Sequence, residues 1–101
     1  MKKLILLSAL ISNVYAFECT KNETQIIGNG KVVSLSSEKC LAKIESVRDY
    51  KPSILCPVLL DEIEQNLISL NSVQCEDVKN NGIISGIVVD EKNGDYLTLD
   101  N

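Results

Sequence analysis

Apolar and polar residues alternate most clearly near the end of the chain, in GIISGIVVDEKNGDYLTLD, residues 82–100. Asn93-Gly94 suits a two-residue type I′ hairpin turn, in which both central residues take positive φ. With that turn, Lys92 faces Asp95, Asp90 faces Leu97 and Val88 faces Leu99. Ile84, Val88, Leu97 and Leu99 then share one face, taken as the core side because side chains alternate across a strand. Gly86, inside the first strand, predicts a bulge or a bend.

TQIIGNGKVVSL, residues 24–35, is rich in β-branched residues and reads in two ways. Asn29-Gly30 would turn a tight hairpin between Ile26-Ile27 and Val32-Val33. Alternatively the segment is one long strand that Gly28 and Gly30 allow to coil sharply. EKCLAKIESV, residues 38–47, is ambiguous as well. Leu41, Ile44 and Val47 keep helical spacing, with Ser37 placed to cap such a helix. As a strand, Cys40, Ala42 and Ile44 point inward and Lys43 and Glu45 outward, and this reading is preferred. Its pairing partner is then the segment holding Val32, Val33 and Leu35, across a short Ser36-Ser37 turn.

PVLLDEIEQN, residues 57–66, reads as a helix. Pro57 suits the first helical position, where its missing N–H costs nothing. Leu59, Leu60 and Ile63 form the apolar face, and Asp61, Glu62 and Glu64 stay in water near the positive end of the helix dipole. LISLNSVQC, residues 67–75, alternates well enough for a further strand. The expected fold is mainly β with one short helix, in the order strand, strand, extended segment, helix, strand, hairpin. That order resembles the five-stranded barrel of the OB-fold, whose helix lies between the third and fourth strands, and so implies a small OB-like β-barrel. The alternative is an α+β arrangement, an antiparallel sheet packed on two helices. The pattern Tyr50-Lys51-Pro52-Ser53, Cys56-Pro57, Glu62-Ile63, Cys75 and the GIISGIVV strand also resembles small four-cysteine exported proteins of Gram-negative bacteria. That resemblance implies location and architecture but no activity.

The N-terminus explains where such a domain works. Lys2 and Lys3 precede an apolar run, Leu4 to Ile11, and Val14-Tyr15-Ala16 ends in a plausible cleavage site. This is the layout of a secretory signal peptide over residues 1–16, and it is too short for a stable membrane anchor. Phe17 and Glu18 separate the cut from Cys19, which disfavours a lipoprotein anchor. Residues 17–101 are then a single exported domain, periplasmic or extracellular, with no membrane insertion after cleavage. Taking 16 residues from 101 leaves 85, a size at which the apolar core is thin and covalent staples are common. The four cysteines, Cys19, Cys40, Cys56 and Cys75, are an even number in a short exported chain, which predicts two disulfides. Gaps of 21, 16 and 19 residues between them supply neither a Cys-x-x-Cys redox pair nor the close ligand pairs of a zinc site. Four cysteines allow three connectivities. If residues 38–47 and 52–56 are antiparallel neighbours, Cys40 pairs with Cys56, leaving Cys19 for Cys75.

Composition then removes several chemistries. The chain has no histidine, so Ser-His-Asp and Cys-His catalysis and His-ligated zinc are out of reach. There is no tryptophan, and beyond the signal only Phe17, Tyr50 and Tyr96 are aromatic, too few to stack nucleic-acid bases. Gly28-Asn29-Gly30 lacks the rest of a phosphate-cradling motif. Asp90 to Asp95 lacks the spacing of a calcium loop. Asn22-Glu23-Thr24 is a glycosylation sequon, relevant only in a eukaryotic host. No cofactor or metal is expected.

Charge is uneven. Residues 61–101 carry nine Asp/Glu against Lys79 and Lys92, and loss of Lys2 and Lys3 with the signal moves the net charge from −4 to −6. Such a surface argues against nucleic acid and against anionic membranes. The expected role is a non-enzymatic binding domain for a protein or cell-envelope component, with Asp61, Glu62 and Glu64 as partner-facing acids for a basic ligand. The plainer reading of those three is a solvated helix face. The competing role is an inhibitor or immunity-type protein against a secreted enzyme, for which the acidic loop Asp90–Asp95 would enter a basic active site.

Overall fold

Two long strands do most of the building. The computed structural model describes residues 19–36, 39–91 and 94–100; the expected signal segment lies outside them. Strand β1, Lys21–Leu35, is continuous, so the long-strand reading of residues 24–35 holds and no hairpin turns at Asn29-Gly30. Its first part pairs with β4, Ile83–Glu91, from Lys21↔Glu91 to Asn29↔Ile83, while its whole length to Leu35 follows β2, Cys40–Pro52. The β1–β2 register slips at Ile27/Gly28, Asn29/Gly30 and Val32/Ser34. Each slip adds local twist and bends the strand, which is how one strand serves two neighbours. The glycines permit it, because at Gly28 the Ser46 carbonyl approaches within 2.5 Å of where a Cβ would stand.

β2 takes the preferred strand reading, with Cys40, Ala42 and Ile44 buried and Lys43 and Glu45 exposed. β3, Ile68–Leu70, pairs antiparallel with β2 (Cys40↔Leu70) and parallel with β5, Leu97–Asp100 (Ile68↔Leu97). β5 returns antiparallel to β4, with Val88↔Leu99 as expected. The five-strand sheet therefore closes in a ring, β1-β2-β3-β5-β4. Inside it sit Ile26, Ala42, Ile44, Ile68, Ile84, Val88, Leu97 and Leu99, including all four residues assigned to the inner face of the hairpin. The fold is mainly β. It is not an antiparallel sheet laid on two helices, because the sheet closes on itself and contains one parallel pair.

Several local expectations need correction. Helix α1 is Leu60–Gln65 and begins three residues later than Pro57. Val58 is held extended against the sheet by Thr24 and Tyr50, so the chain turns helical only after it. Residues 67–75 are not one strand. Only Ile68–Leu70 is extended, and a second helix, α2, runs over Ser72–Asn81. Asn71 starts it: its side-chain carbonyl accepts the Gln74 N–H at 2.8 Å, and its own N–H reaches Gln74 Oε1 at 3.0 Å. Gly82, at φ 70°, ends it in the left-handed conformation that glycine takes without steric cost. Gly86 has φ 148°, yet β4 keeps an unbroken register past it, so the bulges fall across β1–β2 instead. The β4–β5 turn also differs, since Gly94 N–H donates to Glu91 O at 2.9 Å and Gly94 has no positive φ. The connection is thus longer than a two-residue type I′ loop.

Candidate functional site

All four cysteines are bridged, as their even number implied, but in other pairs than expected. Cys19 joins Cys56 and Cys40 joins Cys75, with Cα separations of 5.8 and 6.2 Å. Cys40 and Cys56 are not neighbours because β2 runs unbroken from Cys40 to Pro52, which leaves them beyond opposite ends of one strand. The N-terminus of β1 lies beside the far end of β2 (Thr24↔Pro52), which brings Cys19 to Cys56. Cys75, on α2, returns over the near end of β2 to meet Cys40. Two disulfides in a small β-rich domain suggest a non-reducing, exported environment.

The first bridge belongs to an unusually well-held loop, Ser53–Val58. Glu23 clasps both of its shoulders: Ser53 N–H donates to Glu23 O at 3.1 Å, and Glu23 N–H donates to Cys56 O at 2.8 Å. Deeper in, the Thr24 hydroxyl accepts the Val58 N–H at 2.7 Å and donates to Val58 O at 2.9 Å, and Tyr50 Oη donates to the same carbonyl at 2.8 Å. Thr24 is 1% exposed and Val58 fully buried. Replacing Thr24 by valine keeps the shape but leaves a buried N–H without its acceptor, which costs about 1–3 kcal/mol. Urea unfolding of T24V checks this; an unchanged midpoint would mean that the hydroxyl is not what pins the loop.

At the tip of this loop Ile54 is 97% and Leu55 74% exposed. Leu59 and Leu60 are exposed as well. Full burial of one such side chain is worth about 1.5–3 kcal/mol, so the tip forgoes stabilisation that the rest of the chain collects. Sequence reading missed the tip, because periodicity assigned Leu59 and Leu60 to the buried face of a helix. The uncharged run PSILCPVLL, residues 52–60, was the available signal.

The three acids of the next helix do not act as one patch. Asp61 and Glu64 are exposed, but Glu62 is half-buried and turns its Oε1 back to the Leu59 N–H at 3.3 Å. Lys43 Nζ donates to the Glu64 main-chain carbonyl at 3.3 Å, which places a cation beside this turn. Among the described residues no cluster of His, Cys, Asp and Glu has the make-up of a metal site.

A polar groove of about 250 Å³ lies elsewhere, lined by Lys39, Ser69, Glu91, Asp95, Tyr96 and Thr98. It runs over the outer side of β3 and β5, between the β1–β2 and β4–β5 connections. The Lys39 ammonium stands 5.0 Å from the centre of the Tyr96 ring, a cation–π contact worth about 0.5–1 kcal/mol at an exposed site. The groove draws on three stretches far apart in sequence, and only its Asp90–Asp95 part was singled out beforehand.

Comparison with protein-family models, with curated proteins and with solved structures found no match.

Proposed function

We propose that this chain is an exported, non-enzymatic binding domain of OB-like architecture, working in the periplasm or outside the cell on a protein or cell-envelope ligand. The observation that carries the reading is the strand order, β1-β2-β3-β5-β4, with a parallel β3–β5 pair and helix α2 between β3 and β4. OB-folds take ligands on the face of strands 2 and 3 between the 1–2 and 4–5 loops. The polar groove occupies the corresponding ground. Glu91 and Asp95, beside a tyrosine ring that already holds one ammonium, favour a basic ligand. The acidic surplus of residues 61–101 supports the same sign of partner.

A lysine-rich peptide titrated into ¹⁵N-labelled protein at low salt tests the reading. Amide shifts should concentrate at Lys39, Ser69, Asp95, Tyr96 and Thr98, and the paired variant E91K/D95K should bind at least tenfold more weakly. Shifts scattered over the surface, or affinity that survives the charge reversal, would sink it. The inhibitor or immunity-type alternative draws support from the rigidly held Ser53–Val58 loop, since preorganisation lowers the cost of binding. Stoichiometric inhibition of a co-secreted hydrolase would favour that alternative.

A further inference from the structure

We infer that the Ile54–Leu55 tip is a docking knob that enters an apolar pocket, rimmed by basic residues, on a partner protein. The inference deepens the binding-domain reading but uses a different surface from the polar groove. It rests first on a contrast between rigidity and exposure. Main-chain contacts to Glu23, the buried Thr24 hydroxyl, Tyr50 and the Cys19–Cys56 bridge all hold residues 53–58, yet the two side chains at the summit touch almost nothing. An aliphatic pair left in water by a loose loop would be unremarkable. Here the chain is locked in the one arrangement that presents them, so little conformational freedom is lost when they are covered.

The surroundings select the partner. No charged residue falls between Lys51 and Asp61, so the knob itself is uncharged, and Leu59 and Leu60 widen its base. Five residues separate Cys56 from Asp61, at most about 17 Å of chain, so the exposed carboxylates of Asp61 and Glu64 flank the knob. A lipid surface with anionic headgroups would repel those acids. A second copy docked knob to knob across a two-fold axis would set Asp61 and Glu64 against their own equivalents. A protein with an apolar pocket and a basic rim meets both the side chains and the charge. The chain bends at each of residues 54–56 rather than running extended, so the knob is not presented in the way a protease cleft takes a substrate strand.

The test uses the full chain expressed in its native host. Ile54 is replaced by the photo-crosslinking residue p-benzoylphenylalanine, with the same replacement at Val73, an exposed residue of α2, as the control. The partner joined through position 54 is identified, purified and titrated against wild type, L55D, V73D, D61K/E64K and E91K/D95K, each checked for intact bridges and unchanged melting. The inference expects a protein adduct specific to position 54, contact at an apolar pocket, at least hundredfold weaker binding for L55D and roughly tenfold for D61K/E64K. V73D should bind as wild type. Crosslinks to lipid only, to another copy of this chain, or equally from both positions overturn it, as does wild-type affinity in L55D. Loss confined to E91K/D95K overturns the knob and leaves the groove standing. Loss confined to the loop variants does the reverse.

Discussion

Replacing Cys40 and Cys75 together by alanine should lower the stability of the fold by about 4 kcal/mol, the chain-entropy value for a closed loop of this size at 25 °C. The bridge spans a sequence separation of 35 residues. Its counterpart, Cys19–Cys56, spans 37, so loop entropy alone gives nearly the same figure for both. Burial separates them. Cys40 and Cys75 are 6% and 4% exposed within the core, and their removal also leaves a void, whereas Cys19 and Cys56 are only half-buried. The ordering expected in urea is therefore wild type, then C19A/C56A, then C40A/C75A as the least stable. Since small domains hold about 5–15 kcal/mol in total, C40A/C75A is expected to be partly unfolded at 37 °C. Equal midpoints for the two double variants would show that the buried position adds nothing to chain entropy. A C40A/C75A midpoint matching wild type would remove the second bridge from any account of stability.

The second large effect is expected at Gly28. A methyl group there would lie 2.5 Å from the Ser46 carbonyl oxygen and 3.3 Å from the Val47 Cα. Both are main-chain atoms, so no rotamer change relieves the overlap; β1 and β2 must move apart at the point where the register slips. G28A should cost about 3 kcal/mol, the upper part of the range for overpacking a close-packed site. Gly30 meets the Lys43 carbonyl oxygen and Ile84 Cδ1, each at 2.5 Å, so G30A should behave alike. Asn29, between them and exposed, is the control, and N29A should stay within about 0.5 kcal/mol of wild type. Thermal and urea unfolding of the three variants decide the point. A neutral G28A would mean that the long coiled strand does not depend on close backbone approach.

How far the chain could be read beforehand depends on how local each signal is. The β4–β5 register was legible because alternation about the Asn93-Gly94 region leaves one arrangement with Ile84, Val88, Leu97 and Leu99 on a shared face. The inward set Cys40, Ala42 and Ile44 was legible for the same reason. Helix α2 was written in Asn71, Gln74 and Gly82, its start and stop, but Leu67 to Cys75 alternates like a strand, and that pattern masked the caps. The helix carries few apolar residues, and one of its buried positions goes to Cys75 and its bridge. The delayed start of α1 was not legible, since nothing near Pro57 announces that Thr24, 34 residues earlier, grips Val58. The acids show the same limit: Asp61, Glu62 and Glu64 look alike in sequence, and only the fold turns Glu62 back onto its own helix.

By itself, then, the sequence determined the mainly β character, the faces of the strands, the use of all four cysteines in bridges and the absence of histidine chemistry. These follow from side-chain type and from spacing over a few residues, where geometry repeats every two positions along a strand. Which cysteines pair, which loop is pinned, where two leucines and an isoleucine stay in water and which distant turns line a groove were decided only by closure of the ring. Closure brings the start of β1 to the end of β2 and carries α2 back over the beginning of β2. Those meetings are set by the summed bends of long strands, a property of the whole path that no short stretch of residues contains.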